Sequence, residues 1–168
     1  MAHLAEDLLV LAQADAGGVP LRKTENDIGA VLAHVAGRFR PRAAELGRTI
    51  TVIDDNVGLA GVDRARLEQA LGNLVDNALS HGGGEVTMRA SRRDGRLELH
   101  VLDQGEGFPP EFLPRAFERF SRPHAGRSGR GTGLGLSIVV VVARAHGGYA
   151  SAINLPTRGS DVCMSLPG

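Results

Sequence analysis

A glycine-rich segment that runs directly into an apolar stretch constrains this chain more than any other feature. Glycine alternates with other residues at Gly129, Gly131, Gly133 and Gly135, and the apolar run 138–142 follows. Apolar residues then recur at helical spacing, which predicts a glycine loop at the N-terminus of a buried helix. The N–H groups and dipole of such an N-terminus favour an anion such as a polyphosphate. A flexible loop before a core helix has the same pattern, so this segment alone leaves both interpretations open.

Spacing excludes two familiar phosphate-binding motifs. A dinucleotide fingerprint, G-x-G-x-x-G, would need a third glycine where Leu134 or Leu136 stands. A P-loop needs a lysine directly after its glycines, and Lys23, the single lysine of the chain, has no glycine loop before it. Any phosphate bound by this loop is therefore bound by another architecture.

Composition narrows the class of protein. With 168 residues, 42% hydrophobic and 23% charged, the chain predicts one globular domain and room for a short appendage. A formal net charge of zero gives no electrostatic reason to expect nucleic-acid binding. The single cysteine, Cys163, excludes an internal disulfide and suits a reducing compartment. No apolar run approaches the roughly 20 residues of a membrane span, so we expect the chain as given to be cytoplasmic.

Periodicity and turn residues divide the chain into helices and strands. Asp27 and Asp63 are the expected N-caps of the second and third helices, and Asp94-Gly95 is the expected turn of a hairpin. The predicted helices are residues 1–16, 28–46, 64–80, 111–117 and 134–146. The predicted strands are residues 49–53, 57–60, 85–92, 96–102, 149–154 and 160–166.

This order of elements indicates an α+β fold with two layers, in which about three helices cover one face of a mixed, mostly antiparallel sheet. Residues 17–20, Gly-Gly-Val-Pro, end the first helix, because glycine caps a helix and proline cannot continue it. We therefore place a domain boundary near residue 20, with residues 1–20 as one unit and 21–168 as the other. The apolar stripe of the first helix is expected to pack against a part of the protein outside this chain; it comprises Leu4, Leu8, Leu11 and Ala12.

Two asparagines lie one turn apart on the third helix. Asn73 and Asn77 share a face that differs from the apolar stripe of that helix, and Ser80 lies beside them. Carboxamide oxygens at this spacing can hold a hard cation such as Mg²⁺, with phosphate and water completing the coordination. Asparagines on a polar helix face are also commonly solvated or bonded to each other, so the pair alone does not establish a metal site.

A carboxylate ends the strand 96–102. Leu97, Leu99 and Val101 alternate inward, and Asp103 falls in the same phase. A carboxylate aimed at a core is costly without a partner. The exocyclic amine of adenine would be such a partner, and the glycines that follow would make room for the ring. An aspartate that only forms the turn after the strand is the alternative.

Four segments in this order resemble the sequence boxes of a known family. Residues 73–78, Asn-Leu-Val-Asp-Asn-Ala, resemble the N box, and residues 103–108, Asp-Gln-Gly-Glu-Gly-Phe, the first glycine box. Residues 117–120, Phe-Glu-Arg-Phe, resemble the F box, and residues 131–136, Gly-Thr-Gly-Leu-Gly-Leu, the second glycine box. Residues 21–168 thus resemble the ATP-binding catalytic domain of a bacterial sensor histidine kinase. That resemblance implies the Bergerat-type ATP-binding fold shared with DNA gyrase and a heat-shock chaperone.

The resemblance implies roles for particular residues. Asn73 and Asn77 would bind Mg²⁺ and phosphate, and Asp103 would bind the adenine amine. Arg119 would reach the γ-phosphate or the acceptor helix, as suits a transferring phosphoryl group. Phe117 and Phe120 would anchor a lid, with simple core filling as the alternative. The remaining implied contacts to ATP come from Ser80, His81, Gly105, Gly107, Gly131, Thr132, Gly133, Leu134 and Gly135.

The chain departs from the family pattern in two ways. Family members often have a lysine or arginine where Ser80 stands, so ATP would be held by one cation fewer. The second departure is that the chain contains no phosphoacceptor histidine motif. Residues 1–16 resemble the end of the second hairpin helix, and His3 lacks the signature that flanks an acceptor. The acceptor is therefore expected on a dimerisation domain outside this chain.

The resemblance predicts a kinase domain that transfers the γ-phosphoryl group of Mg·ATP to that histidine, for signalling to a response regulator. The alternatives are a regulatory nucleotide-binding module without kinase activity, a related ATPase, or a serine-directed anti-sigma kinase. The implied assembly is a monomeric fragment, with the full-length protein a homodimer in the membrane and this domain in the cytosol. Residues 121–131 are expected to be disordered without nucleotide and partly ordered with Mg·ATP, because they are rich in glycine, serine and arginine.

Overall fold

A five-stranded sheet forms the base of the molecule. The computed structural model describes residues 2–122 and 132–168, with side chains from residue 5 onward. The helices are α1 (Ala2–Asp15), α2 (Ile28–Glu45), α3 (Arg64–His81) and α4 (Gly135–Ala145), with a 3₁₀ helix at Leu113–Arg115. The strands are β1 (Thr24–Asp27), β2 (Ile50–Asp54), β3 (Leu59–Val62), β4 (Val86–Arg93), β5 (Arg96–Leu102), β6 (Tyr149–Asn154) and β7 (Ser160–Pro167).

The strand order in the sheet is β2-β4-β5-β7-β6. Only the β2–β4 pair is parallel, and the other three pairs are antiparallel. Helices α2, α3 and α4 pack on one face. Inward side chains of β5, such as Leu97 and Leu99, are fully buried beneath them. The predicted two-layer α+β architecture is confirmed. None of the described helices combines the length and apolar character needed to cross a membrane.

The predicted N-caps and the predicted hairpin turn are present in the structure. The Asp27 side chain accepts from the Ala30 N–H at 3.1 Å, and the Asp63 side chain accepts from the Arg66 N–H at 3.1 Å. Asp94 and Gly95 have φ values of 50° and 73°, the left-handed pair that a tight hairpin turn needs. Both predicted caps and the predicted hairpin are confirmed.

Two predicted elements are corrected, and one strand was missed. The strand predicted at residues 57–60 begins two residues later, at Leu59, because Gly58 has a φ of 71° and belongs to a turn. Its partner, β1, was not predicted, since the sequence Thr-Glu-Asn-Asp lacks any apolar alternation. The helix predicted at 111–117 is only a short 3₁₀ turn. Pro114 has no N–H and cannot extend an α-helix there.

Helix α1 packs on the domain through only part of the predicted stripe. Val10 and Leu11 are buried against α4, whereas Leu8 is 48% exposed. Asp7 is also buried and accepts from the Gln69 side chain of α3 at 2.8 Å. Leu11 of the stripe thus packs within this chain, contrary to the prediction, whereas the expected contact of Leu8 with a part outside the chain remains a prediction. The division at residue 20 remains a prediction.

Candidate functional site

A cavity of about 830 Å³ opens between α3, the loop after β5 and the start of α4. Its volume lies in the range of sites for small molecules and cofactors. Most of the residues that the sequence nominated line it: Asn73, Asn77, His81, Asp103, Gly107, Thr132, Gly133 and Gly135. Residues separated by up to 62 positions in the chain are thus brought to one cavity.

The other nominated residues lie elsewhere. Leu134 is 1% exposed and belongs to the core, and Gly105 lies behind Asp103 rather than on the cavity wall. Ser80 lies on the exposed side of α3, and Arg119 is outside the lining. Gly131 and most of the predicted lid, 123–131, are outside the described residues, and so is the side chain of His3.

Asp103 is buried, with 5% of its surface exposed, and its carboxylate has three partners inside the fold. Its Oδ1 accepts from the Gly105 N–H at 2.6 Å and from the Gly83 N–H at 3.3 Å. Its Oδ2 accepts from the Ser160 hydroxyl at 2.5 Å. A carboxylate has about four acceptor positions. The sequence left two alternatives for Asp103, a turn-forming residue and an acceptor for a ligand. The structure is compatible with both, because the carboxylate forms the turn and still has an acceptor position free of these three partners.

Glycines allow the chain to close around this carboxylate. A Cβ on Gly82 would lie 2.5 Å from the Asp103 Cγ, and a Cβ on Gly105 would lie 2.6 Å from the Gly83 nitrogen. Those distances are far below van der Waals contact, so both positions require glycine. The expected role of Gly105 in shaping the pocket is thus indirect, through the orientation of Asp103.

Arg48 supports the same turn and was not singled out from the sequence. Its Nη1 donates to the carbonyls of Ala78 and Leu79 at 3.0 and 3.1 Å, and its Nε donates to the Gly84 carbonyl at 2.6 Å. Burial lowers the pKa of the guanidinium, and the charge of Asp103 partly opposes that shift. The arginine therefore holds the C-terminus of α3 against the glycine turn. A lone arginine before a strand gives no sequence signal for this role.

Asn73 faces the start of α4. Its Nδ2 is buried and has no hydrogen-bond partner among the described residues. The Cβ position of Gly135, the first residue of α4, is 3.7 Å from the Asn73 carboxamide. No side chain in the described part of the chain caps α4, whose first N–H groups are therefore also available. An anion with several acceptor oxygens fits both groups.

The donor set for a cation is sparse. Within residues 2–122 and 132–168, no cluster of three or more His, Cys, Asp or Glu side chains could hold a metal ion. Asn73 and Asn77 both line the cavity and offer carboxamide oxygens. Such neutral ligands suit Mg²⁺ only when phosphate oxygens and water complete its coordination. The site therefore fits a cation that is bound together with a polyphosphate.

Arg119 makes a bidentate ion pair instead of facing the cavity. Its two Nη atoms donate to the two carboxylate oxygens of Asp15, at the end of α1, each at 2.7 Å. This pair lowers the pKa of Asp15 and raises the pKa of Arg119. Phe117 packs against the core, whereas Phe120 is 68% exposed. Core filling is thus confirmed for Phe117 alone.

Aromatic side chains form one wall of the cavity. Phe108 and Phe112 line it, with ring centroids 6.2 Å apart and ring planes inclined by 27°. The Phe108 N–H and carbonyl both bond to the Asn154 side chain at 2.8 Å, which fixes the loop after Gly107. Neither Phe112 nor Ser160 was nominated from the sequence. Both lie outside the four sequence boxes, so no motif in the sequence indicated that they contribute to the site.

Comparison with known proteins gives this geometry its context. The model for the family described as histidine kinase-, DNA gyrase B- and HSP90-like ATPase matches residues 62–168. A probable sensor histidine kinase of Mycobacterium tuberculosis is 38% identical over 99% of this chain, which spans 43% of that relative. The sensor histidine kinase component HK1 of the same species is 41% identical, and the match covers 75% of each chain.

A solved structure has the same fold. The full-length ShkA structure, determined in complex with AMPPNP, superposes with a TM-score of 0.86 at 32% identity. The match covers 98% of this chain and 35% of ShkA. The resemblance stated from the four sequence boxes is confirmed. The chain belongs to the histidine kinase-, DNA gyrase B- and HSP90-like ATPase family, with the Bergerat-type fold of the catalytic domains of sensor histidine kinases.

Proposed function

We propose that this chain binds Mg·ATP and transfers its γ-phosphoryl group to a histidine of a dimerisation domain outside these residues. The observation that carries the proposal is the shared cavity, where Asp103 and Asn73 each present unused hydrogen-bonding capacity. Asp103 is an acceptor, which the amine of adenine requires, and the Asn73 amide is a donor, which the phosphates require.

The base would lie at the Asp103 end. The remaining acceptor position of the carboxylate suits the exocyclic amine of adenine. Phe108 and Phe112 offer apolar surface for the ring, and Gly107 leaves space beside them. His81, exposed at the end of α3, lines the same cavity and is assigned to the nucleotide.

The phosphates would lie at the Asn73 end. The Asn73 amide and the start of α4, which have no side-chain partner among the described residues, would donate to phosphate oxygens, and Thr132 and Gly133 line the same cavity. Asn77 and Asn73 would supply carboxamide oxygens to Mg²⁺, which neutralises phosphate charge when bound. Ser80 and Leu134 remain predicted contacts that the described lining does not include, and Gly131 lies outside the described residues.

Arg119 is assigned to the transferring phosphate or to the acceptor helix. Its guanidinium is engaged by Asp15, so this role requires exchange of one carboxylate for another anion. Bidentate pairing with a carboxylate and with a phosphate uses the same fork of N–H donors. The same guanidinium donors could therefore bind either the Asp15 carboxylate or a phosphate.

The partners follow from the same proposal. This chain spans less than half of its first relative, so the acceptor histidine, the homodimer interface and any membrane anchor are assigned to other segments. A response regulator would receive the phosphoryl group next, and this domain would face the cytosol. The relatives named as sensor histidine kinases support this arrangement.

Reconstitution tests the function directly. The chain is mixed with the dimerisation domain of its own full-length protein and with ATP labelled at the γ-phosphate. We expect label on the acceptor domain as an acid-labile, base-stable phosphohistidine. Nucleotide binding without transfer would indicate a regulatory module instead. Steady release of labelled phosphate without an acceptor would indicate an ATPase.

A further inference from the structure

Helix α2 contributes positive charge to the cavity. Arg38 and Arg42, one turn apart on α2, both line it. The Nη2 of Arg42 donates to the Ser80 Oγ at 2.7 Å, and its Nη1 pairs with the Asp76 carboxylate. We propose that Arg42 binds the phosphates of the nucleotide in this cavity. This inference rests on the proposed nucleotide binding and names a residue for it on a different helix.

The position of the guanidinium supports the assignment. Asp76 and Ser80 flank Asn77 on α3, so the Arg42 contacts bracket the turn that carries a proposed phosphate and metal ligand. Both contacts hold the side chain against α3, which lowers the entropy cost of using it for an incoming anion. A guanidinium has five N–H donors, and the two described side chains engage two of its nitrogens. Donors therefore remain for a phosphate oxygen.

The charge balance of the cavity supplies the second argument. Its described lining contains more carboxylates than arginines, and the carboxylates are Glu6, Asp7, Glu68, Asp76, Asp103 and Glu106. The arginines of that lining are Arg38, Arg42 and Arg122. A polyphosphate would be repelled by Asp76 in particular, which adjoins Asn77. Arg42 neutralises that carboxylate and adds donors at the same place.

A purely structural contact between α2 and α3 would have different consequences. The Arg42 and Asp76 side chains are 41% and 53% exposed. Exposed ion pairs typically add little to stability, because solvent screens them. Removing Arg42 is therefore expected to leave the fold intact, so that its effect on the ligand can be measured.

Calorimetric titration of Arg42→Gln with Mg·ATP, Mg·ADP and adenosine tests the proposal. The matched control is Arg40→Gln, an exposed arginine of the same helix that is outside the cavity lining. We expect Arg42→Gln to weaken Mg·ATP binding about tenfold, as for loss of a charged hydrogen bond. Mg·ADP should be weakened less and adenosine not at all, and Arg40→Gln should bind all three as the wild type does.

Several outcomes overturn the proposal. Equal loss for adenosine and ATP would show that Arg42 acts through the shape of the cavity. Unchanged ATP affinity would leave it as an interhelical contact only. Full restoration of ATP affinity in Arg42→Gln/Asp76→Asn would show that Arg42 only neutralises Asp76 and does not contact phosphate. Failure of the wild type to bind Mg·ATP would instead contradict the proposed function itself.

Discussion

At the scale of single residues, Asp103 stabilises the fold and is also the residue that we propose binds the base. Two N–H groups and one hydroxyl hold its carboxylate in place. An asparagine could keep these bonds, since its Oδ1 can accept from both N–H groups and the Ser160 hydroxyl can turn to accept from its Nδ2. The substitution would then reverse only the polarity that faces the cavity.

Asp103→Asn is therefore predicted to weaken ATP binding while leaving the fold intact. The loss expected for a charged hydrogen bond is roughly 1.5–3 kcal/mol. Inosine triphosphate carries an acceptor where ATP carries an amine. The variant should therefore lose less affinity for inosine triphosphate than for ATP, and the ratio of the two affinities should move toward one. Calorimetry with both nucleotides measures this. An unchanged ratio of the two affinities would mean that Asp103 does not contact the base.

Asn77→Ala is predicted to weaken ATP binding mainly when Mg²⁺ is present. If Asn77 is a Mg²⁺ ligand, the variant should lose about tenfold in ATP affinity with Mg²⁺ present and much less when EDTA removes the metal. The measurement is a pair of titrations at constant ionic strength. Equal losses in both would assign Asn77 to the nucleotide directly.

The sequence predicted the candidate site at this scale wherever a residue carried its own signal. Asp103 was visible from its phase in β5, and Asn73 and Asn77 from their spacing on α3. Arg48, Arg42 and Ser160 were not, because each acts across the fold on a residue at least 30 positions away. Such pairings depend on tertiary packing, for which a single sequence has no local signal.

At the scale of secondary structure, α3 is the element on which the site depends, and its N-terminus is held by α4. The Asp63 N–H, at the N-cap of α3, donates to the His146 Nε2 at 3.1 Å. The His146 Nδ1 is 2.8 Å from the Val142 carbonyl and donates to it. The imidazole must therefore be neutral, and its burial lowers its pKa.

This histidine is predicted to make the folded state sensitive to acid. A folded-state pKa below the unfolded value of about 6.5 means that the unfolded chain binds more protons. The free energy of unfolding should therefore fall as the pH decreases below about 6.5. Chemical denaturation between pH 8 and pH 5 measures it.

The control separates His146 from other titrating groups. His146→Gln should lose about 1–3 kcal/mol at neutral pH, because the Asp63 N–H loses its acceptor. It should also show a smaller decrease in acid than the wild type. Parallel curves for the wild type and His146→Gln would contradict the assignment.

Elements with a strong period or cap were predicted from the sequence, and weakly marked ones were not. α2 and α3 have aspartate caps and continuous apolar stripes, so their bounds were nearly correct. β1 has no apolar residue and exists because β3 offers it a partner. The apolar stripe of α1 was expected to contact a part outside this chain, whereas its Leu11 packs on α4, because periodicity gives a stripe but does not say which neighbours will cover it.

At the scale of the whole molecule, the helices cover one face of the sheet and leave the other to solvent-facing polar side chains. His100 on β5 and Asp161 on β7 meet there, with the His100 Nδ1 3.0 Å from both carboxylate oxygens. The His100 Nε2 is 3.6 Å from the Cys163 sulfur and 3.6 Å from a Glu98 carboxylate oxygen. The arrangement joins the neighbouring strands β5 and β7 on the face that none of the described helices covers.

The cavity lies on the opposite side, and Arg42, the proposed phosphate ligand that lines it, comes from α2, outside the sequence boxes. Ser80 departs from the family pattern by lacking a basic side chain. Arg42 approaches the same turn of α3 from α2. A change in one box can thus be offset by a neighbouring element, which a motif comparison alone does not detect.

The polar cluster on the sheet is predicted to stabilise the fold below alkaline pH. Hydrogen bonds with Asp161 and then Cys163 raise the pKa of His100 to about 10, against the opposing effect of burial. A folded-state pKa above the unfolded one means that the folded chain binds more protons. The contribution is therefore fully present below about pH 6.5, declines above it, and is lost once the pH passes about 10.

Two measurements check this prediction. In an NMR titration the His100 imidazole should remain protonated at pH 8, because its pKa is raised to about 10. In chemical denaturation, the difference in unfolding free energy between the wild type and His100→Gln should shrink as the pH rises from 7 to 10. Groups common to both proteins cancel in that difference. A His100 imidazole that loses its proton near pH 6.5 would mean that Asp161 does not hold the charge, and that β5 and β7 are joined by their backbone ladder and core packing alone.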